Sequence, residues 1–294
     1  MKRKGFARPW EGYLYLAPWI IGLLAFTIIP MIMSFYFSFT RYDMANPPRF
    51  IGLENYAQML TDTRLHNSLR VTFTFVFFTI PFQLAFALFI AAIFKKARRG
   101  IRVYRAIYYL PSLLGGSVAI ALLWRQVFNQ QGLVNQVLSL FGIEGRNWIG
   151  SPDTALYTLI ILAVWQFGGS MVIFLGGLKN ISAEYYEAAE IDGANKLQIF
   201  FRITIPLLTP MIFFNFVMST IGAFQAFTSS FIISGGSGGP VDSTMFYTLY
   251  LYIRAFRQFN MGYASAMAWV LLFIIAVITA IQFAFNKKWV YYDD

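Results

Sequence analysis

Cysteine is absent and histidine occurs once, at His66, so the chain carries no disulfide framework, no thiolate nucleophile and no zinc or iron–sulfur ligand set. His66 has neither a second histidine nor a cluster of carboxylates near it in sequence, and it reads as a loop-packing residue rather than a catalytic base. Charge is scarce: 12% of the 294 residues are Asp, Glu, Lys or Arg, against about 25% in soluble proteins. All thirteen acids fall outside the long apolar runs, which leaves no carboxylate at membrane depth for a coupling proton or sodium ion. A phosphate-cradling Gly-x-x-x-x-Gly-Lys-Ser/Thr loop is also missing, and the one Gly-rich stretch, Gly235–Pro240, has no lysine. ATP hydrolysis by this chain alone is excluded, and no cofactor or metal site is expected on it.

What is present is apolar. Hydrophobic residues make up 58% of the chain, 32 residues are Phe, and the mean hydropathy is +0.58. That composition excludes a soluble enzyme and a disordered chain alike. Six stretches of at least 19 residues lack any charge: Gly12–Thr40, Val71–Phe94, Ala106–Trp124, Thr154–Leu178, Ile203–Val241 and Gln258–Asn286. Each is long enough to cross a hydrocarbon core about 30 Å thick, for which about 20 helical residues suffice. The ten-residue alternation of a membrane β-barrel is absent. The expected fold is therefore all-α and polytopic, with six transmembrane helices in one membrane domain over residues 1–294. The apolar stretch after Lys2, Arg3, Lys4 and Arg8 is too long for a signal peptide and lacks a convincing cleavage site, so it reads as a retained first helix.

Basic residues set the orientation. With the N-terminus inside, segments 1–13, 95–105, 179–202 and 287–294 hold 15 Lys and Arg in 56 positions, and the outside segments 39–70, 125–154 and 234–263 hold 8 in 92. The positive-inside rule then puts both termini in the cytoplasm. The same asymmetry accounts for the net charge of +10 without a nucleic-acid partner. The paired aromatics of the outer loops, Arg41-Tyr42, Asn55-Tyr56 and Tyr247–Tyr252, read mostly as an interfacial belt.

The inner segment between the fourth and fifth runs departs from this pattern. It carries Glu184, Glu187, Glu190 and Asp192 on a side otherwise rich in Lys and Arg. Ser182 before Glu184 is a helix start, Tyr185, Ala188, Ala189 and Ile191 give a mostly apolar stripe, and Gly193 permits a sharp turn. Ala194–Phe201 is expected to form a second short helix, with Pro206 and Pro210 opening the fifth span. Glu187-Ala188-Ala189, Gly193 four residues on, and Ile203-Thr204-Ile205-Pro206 together resemble the EAA loop of permease subunits of binding-protein-dependent ABC importers. Glu187–Ala194 and Ile203–Pro210 resemble its carbohydrate branch, as do Gly238-Gly239-Pro240, Ala255-Phe256, Gly262–Ala266 and Lys287–Tyr292. Ile205 stands where that pattern usually has Leu, a volume-conserving change.

The resemblance covers essentially residues 12–292 and implies a type I ABC importer permease fold in a prokaryotic plasma (inner) membrane. Residues 181–206 would be the coupling loop that seats in a cytoplasmic ATPase. Glu187 would supply the polar contact, Ala188 and Ala189 the close approach and Gly193 the bend, with Glu184, Tyr185, Asp192 and Ala194 completing the docking set. The implied partners are a second homologous permease, two ATP-binding subunits that carry ATP and Mg, an extracytoplasmic solute-binding protein, and a carbohydrate.

Polar residues interleaved with aromatics mark where a sugar would bind. The fifth span carries Asn215, Ser219, Thr220, Gln225, Thr228, Ser229 and Ser230 among Phe216, Phe224 and Phe227; the fourth carries Trp165, Gln166 and Ser170 beside Gly168-Gly169. Amides and hydroxyls beside aromatic faces suit a neutral sugar. The family resemblance favours Trp165, Gln166, Ser170, Ser219, Gly222, Ala223, Gln225 and Ala226. Interhelical packing remains the alternative for each hydroxyl or small residue taken singly. The rival functions are a self-sufficient secondary transporter or channel, opposed by the lack of acids in the spans, and a membrane-embedded enzyme, opposed by the scarcity of His and Cys.

Overall fold

The structure is a computed structural model and describes residues 9–96 and 99–291. Lys2, Arg3, Lys4, Arg8, Arg98, Tyr292, Asp293 and Asp294, used above for orientation or motif, lie outside the described residues. Among the described residues almost all regular structure is helical, as the composition requires. In chain order the helices are α1 (Pro9–Leu23), α2 (Ile29–Ser38), α3 (Glu54–Met59), α4 (Thr63–Phe94), α5 (Ile101–Leu113), α6 (Val118–Val127), α7 (Leu133–Leu140) and α8 (Pro152–Trp165). They continue with α9 (Gly168–Asn180), α10 (Ala183–Ile191), α11 (Lys196–Ile199), α12 (Ile205–Phe224), α13 (Thr228–Ile233), α14 (Tyr247–Tyr252) and α15 (Met261–Asn286).

Among the described residues, five helical stretches are long and apolar enough to cross a membrane: Tyr13–Ser38, Thr63–Phe94, Pro152–Asn180, Lys196–Ile233 and Met261–Asn286. The sixth expected span, Ala106–Trp124, is not one helix. It is the pair α5 and α6, bent by 97°. Gly116 sits there at φ +76, a conformation a β-carbon resists, and Ser117 caps the next helix by accepting from the Ile120 N–H at 3.2 Å.

The chain forms two compact units, Met1–Thr61 with Leu251–Leu272, and Asp62–Tyr250 with Phe273–Asp294. In the first, α1 and α2 join through a wide π turn at Leu24–Ile28, just before Pro30. A proline lacks the N–H and crowds the carbonyl four residues back, and a wider turn lets the helix continue past it. A two-residue antiparallel ladder, β1 (Thr40–Arg41) with β2 (Arg49–Phe50), follows. Asn55 ties this region together, its amide donating to the Ser38 and Thr40 carbonyls at 2.9 Å each.

In the second unit α4 is the central element and packs against α8, α9 and α12. Asp62 caps it, accepting from the Arg64 and Leu65 N–H groups. The core between these helices is built from Leu84, Ala87, Leu159, Met171, Phe174, Leu178 and Leu208, all buried. Small residues set the close approaches, as expected where lipid supplies no hydrophobic drive for helices to associate. A β-carbon on Gly168 would lie 2.7 Å from Ser112 Oγ and 2.8 Å from Tyr109 Cα, and one on Gly177 would lie 2.7 Å from Leu208.

One expectation for the 181–206 loop changes. The second short helix is not separate: α11 runs through a π turn at Phe200–Thr204 straight into α12. Pro206, the second residue of α12, is the physical reason, since the wide turn precedes it just as one precedes Pro30. The apolar stripe of α10 is mostly left uncovered by the chain itself. Ala189 is buried and Tyr186 half-buried, whereas Tyr185, Ala188 and Ile191 are exposed. The face turned to the chain is that of Tyr186 and Ala189, and the side turned away carries Tyr185, Ala188 and Ile191.

Candidate functional site

Three interruptions of helix meet at one cavity. The first is the bend at Gly116 between α5 and α6; the second is Gln166–Phe167 between α8 and α9; the third is Gln225–Phe227 between α12 and α13. Broken helices leave backbone groups without intrahelical partners, which hydrocarbon does not tolerate unless protein or a polar cavity takes them up. Here side chains from elsewhere do part of this. The Gln83 amide on α4 donates to the Ala163 carbonyl at 3.2 Å and to the Gln166 carbonyl at 3.5 Å, and the Thr248 hydroxyl donates to the Ala226 carbonyl.

The cavity holds ≈ 380 Å³, within the usual range for small-molecule sites, and is open on one side. Its walls come from Phe75, Thr79 and Gln83 of α4, Ile120 and Ala121 of α6, Leu159, Leu162 and Ala163 of α8, and Ser219, Gly222 and Ala223 of α12, with residues of all three interruptions between them. None of these residues is ionisable. Amide, hydroxyl and backbone groups set among apolar and aromatic surface can hydrogen-bond a polyhydroxylated solute but cannot hold an ion by charge. The Thr79 hydroxyl is buried there without a hydrogen-bond partner among the described residues.

Of the nine residues expected along a substrate path, Gln166, Ser219, Gly222, Ala223, Gln225 and Ala226 line this cavity. Trp165, Ser170 and Asn215 do not. The Trp165 ring lies against Trp124, centroids 5.5 Å apart, while Ser170 is half-buried in the first turn of α9. Asn215 is buried and donates to the Met211 carbonyl of its own helix at 3.0 Å. The wall that sequence reasoning missed is α4. Phe75, Thr79 and Gln83 recur every four residues, one helix face, and two polar side chains at that spacing inside a long apolar run were the available signal.

The 181–206 loop is built from standard terminators. The Ser182 hydroxyl accepts from the Glu184 N–H at 3.3 Å. At the other end of α10 the Gly193 N–H donates to the Glu190 carbonyl at 3.1 Å and the Ala194 N–H to the Ala189 carbonyl at 2.9 Å, the paired bonds of a Schellman motif. Gly193 sits at φ +77, the left-handed position that motif requires. Asn195 and Gln198 then form a capping box for α11. Within the expected docking set, Glu184, Tyr185, Glu187, Ala188, Asp192 and Gly193 are exposed, Ala194 is half-buried and Ala189 is buried.

A bundle of interrupted helices around an uncharged cavity is the build of a solute permease. The chain belongs to the family described as binding-protein-dependent transport system inner membrane component, which it matches over residues 68–291, and is a multi-pass inner-membrane protein of the family's carbohydrate branch. It is 54% identical to the probable ABC transporter permease protein YesP of Bacillus subtilis (strain 168), over 96% of this chain and 92% of that one. It is 33% identical to the arabinooligosaccharides transport system permease protein AraP of the same organism, over 92% and 86%. Its fold is shared with a chain in the crystal structure of a bacterial alginate ABC transporter in complex with alginate pentasaccharide-bound periplasmic protein, with a TM-score of 0.81, 21% identity, and 95% and 94% of the two chains covered.

Proposed function

We propose that this chain is one of two homologous permease subunits of an ATP-driven importer for an oligosaccharide, delivered by an extracytoplasmic solute-binding protein. Two ATP-binding subunits, which hold ATP and Mg, supply the energy through the 181–206 loop, and both termini face the cytoplasm. The observation that carries the reading is continuity. Helix runs from Lys196, beside the turn at Gly193, to Phe224, beside the cavity wall at Ser219, Gly222 and Ala223. A push that reaches Lys196 is therefore delivered at the cavity with no further break in the helix. The oligosaccharide is supported by the cavity's uncharged mixture of amides, hydroxyls and aromatic surface, by the substrate in the name of AraP and by the pentasaccharide held by the periplasmic protein of the alginate complex.

The test is purification of the chain from its native membrane in mild detergent, with assay of ATPase activity as candidate loaded binding proteins are added. Recovery of an ATPase and a second permease, with activity stimulated by one oligosaccharide-loaded binding protein, is the expected result. A lone ATPase-free chain that still transports after reconstitution would return the question to ion-coupled or passive transport. Orientation is checked separately: with no native cysteine, single cysteines placed at Ala188 and Val241 give a clean labelling background. The first is expected to be shielded from an impermeant reagent in intact cells and the second labelled.

A further inference from the structure

Tyr186 has no part in the docking set, yet its side chain ties α10 to the rest of the helical unit. Its ring lies under the Lys95 ammonium, with Nζ 3.7 Å from the ring centroid, and its hydroxyl accepts from Thr204 Oγ1 at 3.3 Å. Lys95 is the residue directly after α4. Thr204, buried, closes the π turn that leads into α12. These are the two helices that supply Thr79 and Gln83, from the middle of α4, on one side of the cavity and Ser219, Gly222 and Ala223, from the last turns of α12, on another. Among the described residues no carboxylate pairs with Lys95, so the aromatic face is the partner that holds its charge. At 3.3 Å the hydroxyl contact is longer than the usual O–H···O bond, and the ring–cation contact is the firmer of the two.

We propose that Tyr186 is a positioning residue for coupling: a clamp that makes α10 and the loop-side ends of α4 and α12 move as one body. A displacement of α10 then reaches the cavity from two walls. Without the clamp it travels along α12 alone, while α4 and its Gln83 anchor stay behind. This rests on the reading that α10 receives the push of an ATPase.

The experiment uses the complete complex reconstituted in liposomes and measures three quantities: ATPase subunit recovered with the permease, ATP hydrolysed, and solute taken up per ATP. For Tyr186→Leu and for Lys95→Met, recovery is expected to stay near that of the unaltered complex while uptake per ATP falls by about tenfold. Tyr186→Phe, which keeps the ring over the cation, is expected to lose about twofold, and Lys95→Arg, which restores a cation able to stack, to recover most of the ratio. The double variant Tyr186→Leu with Lys95→Met is expected to be no worse than Tyr186→Leu alone, because that substitution already removes the contact with Lys95. Unchanged uptake per ATP in Lys95→Met overturns the clamp, as does strict additivity in the double variant. Lys95 lies at a partly exposed helix end, so this holds even if Tyr186→Leu does not assemble. An unaltered complex that recovers no ATPase overturns the importer reading itself, and the clamp with it.

Discussion

α12 is irregular just before it begins and just after it ends, and the two irregularities differ in kind. At Phe200–Thr204 the helix widens to a π turn, but the residues flanking it keep helical dihedrals and the Ile205 N–H still donates, five residues back, to the Phe200 carbonyl. At Gln225–Phe227 it stops, with Phe227 at φ −134 and ψ −57, and one freed carbonyl is taken up by a hydroxyl 22 residues away. A widened turn absorbs a proline and still transmits a push. An interruption transmits poorly but turns backbone and amide groups toward a cavity. The loop side is thus built to move as a body and the cavity side to present polar groups, and substitutions separate the two.

The largest effect is expected from filling the cavity. A β-carbon at Gly222 meets nothing within 4 Å, so Gly222→Phe has room on the chain's own side and takes its space from the solute. Uptake is expected to fall by at least about tenfold with membrane content and thermal stability unchanged. Gly168→Phe is the contrasting control: its first added carbon already clashes with Tyr109 backbone, and the protein is expected to be lost from the membrane. If Gly222→Phe transports normally, the cavity is not on the solute's path.

Next comes the loop turn. Gly193 at φ +77 has open space around its missing β-carbon, so a side chain there costs only the left-handed conformation, about 1–2 kcal/mol for a β-branched residue. Gly193→Val is expected to swing α10 away from its seat and cut uptake several-fold with protein still inserted, whereas Gly193→Asn, which tolerates that conformation, retains most of it. Uptake measured against membrane content distinguishes them. Equal losses in the two would show that size and not backbone geometry matters at this turn.

Gln83→Leu tests the anchoring of the second interruption. Its amide serves the Ala163 and Gln166 carbonyls, and a hydrogen bond of this kind inside a membrane is worth about 1 kcal/mol. A fall of a few degrees in the melting temperature of the purified chain is expected, together with a raised KM for uptake, since Gln166 itself lines the cavity. A raised KM without the fall would make Gln83 a solute contact rather than an anchor.

The spans and the loop were legible in the sequence because their signals are local. Uncharged runs show helices, Ser182 and Gly193 show the ends of α10, and the pair Gly115-Gly116 lies within the run that turned out to be bent. The other two interruptions were not legible. Nothing at Gln225-Ala226-Phe227 breaks a helix by itself, and the side chain that serves the Gln166 carbonyl is 83 residues away in the chain. Both depend on tertiary hydrogen bonds, which periodicity does not report. The contacts of Tyr186 were not legible either, because Lys95 and Thr204 are both distant from it in sequence.

The smallest effect is expected at Thr79, and it sharpens the contrast most finely. Its hydroxyl is buried on the cavity wall with no partner among the described residues, so in stability alone it is a cost, and the shape-matched Thr79→Val leaves the melting temperature unchanged or slightly raised. If that hydroxyl bonds the solute, losing it weakens binding by about 1 kcal/mol, a KM raised roughly fivefold at unchanged turnover. A variant unchanged in both would leave α4 as a passive wall and confine recognition to α12 and the helix interruptions. A variant less stable but unchanged in transport would mean that the hydroxyl has a structural partner, and the polar side of the cavity would then begin at Gln83.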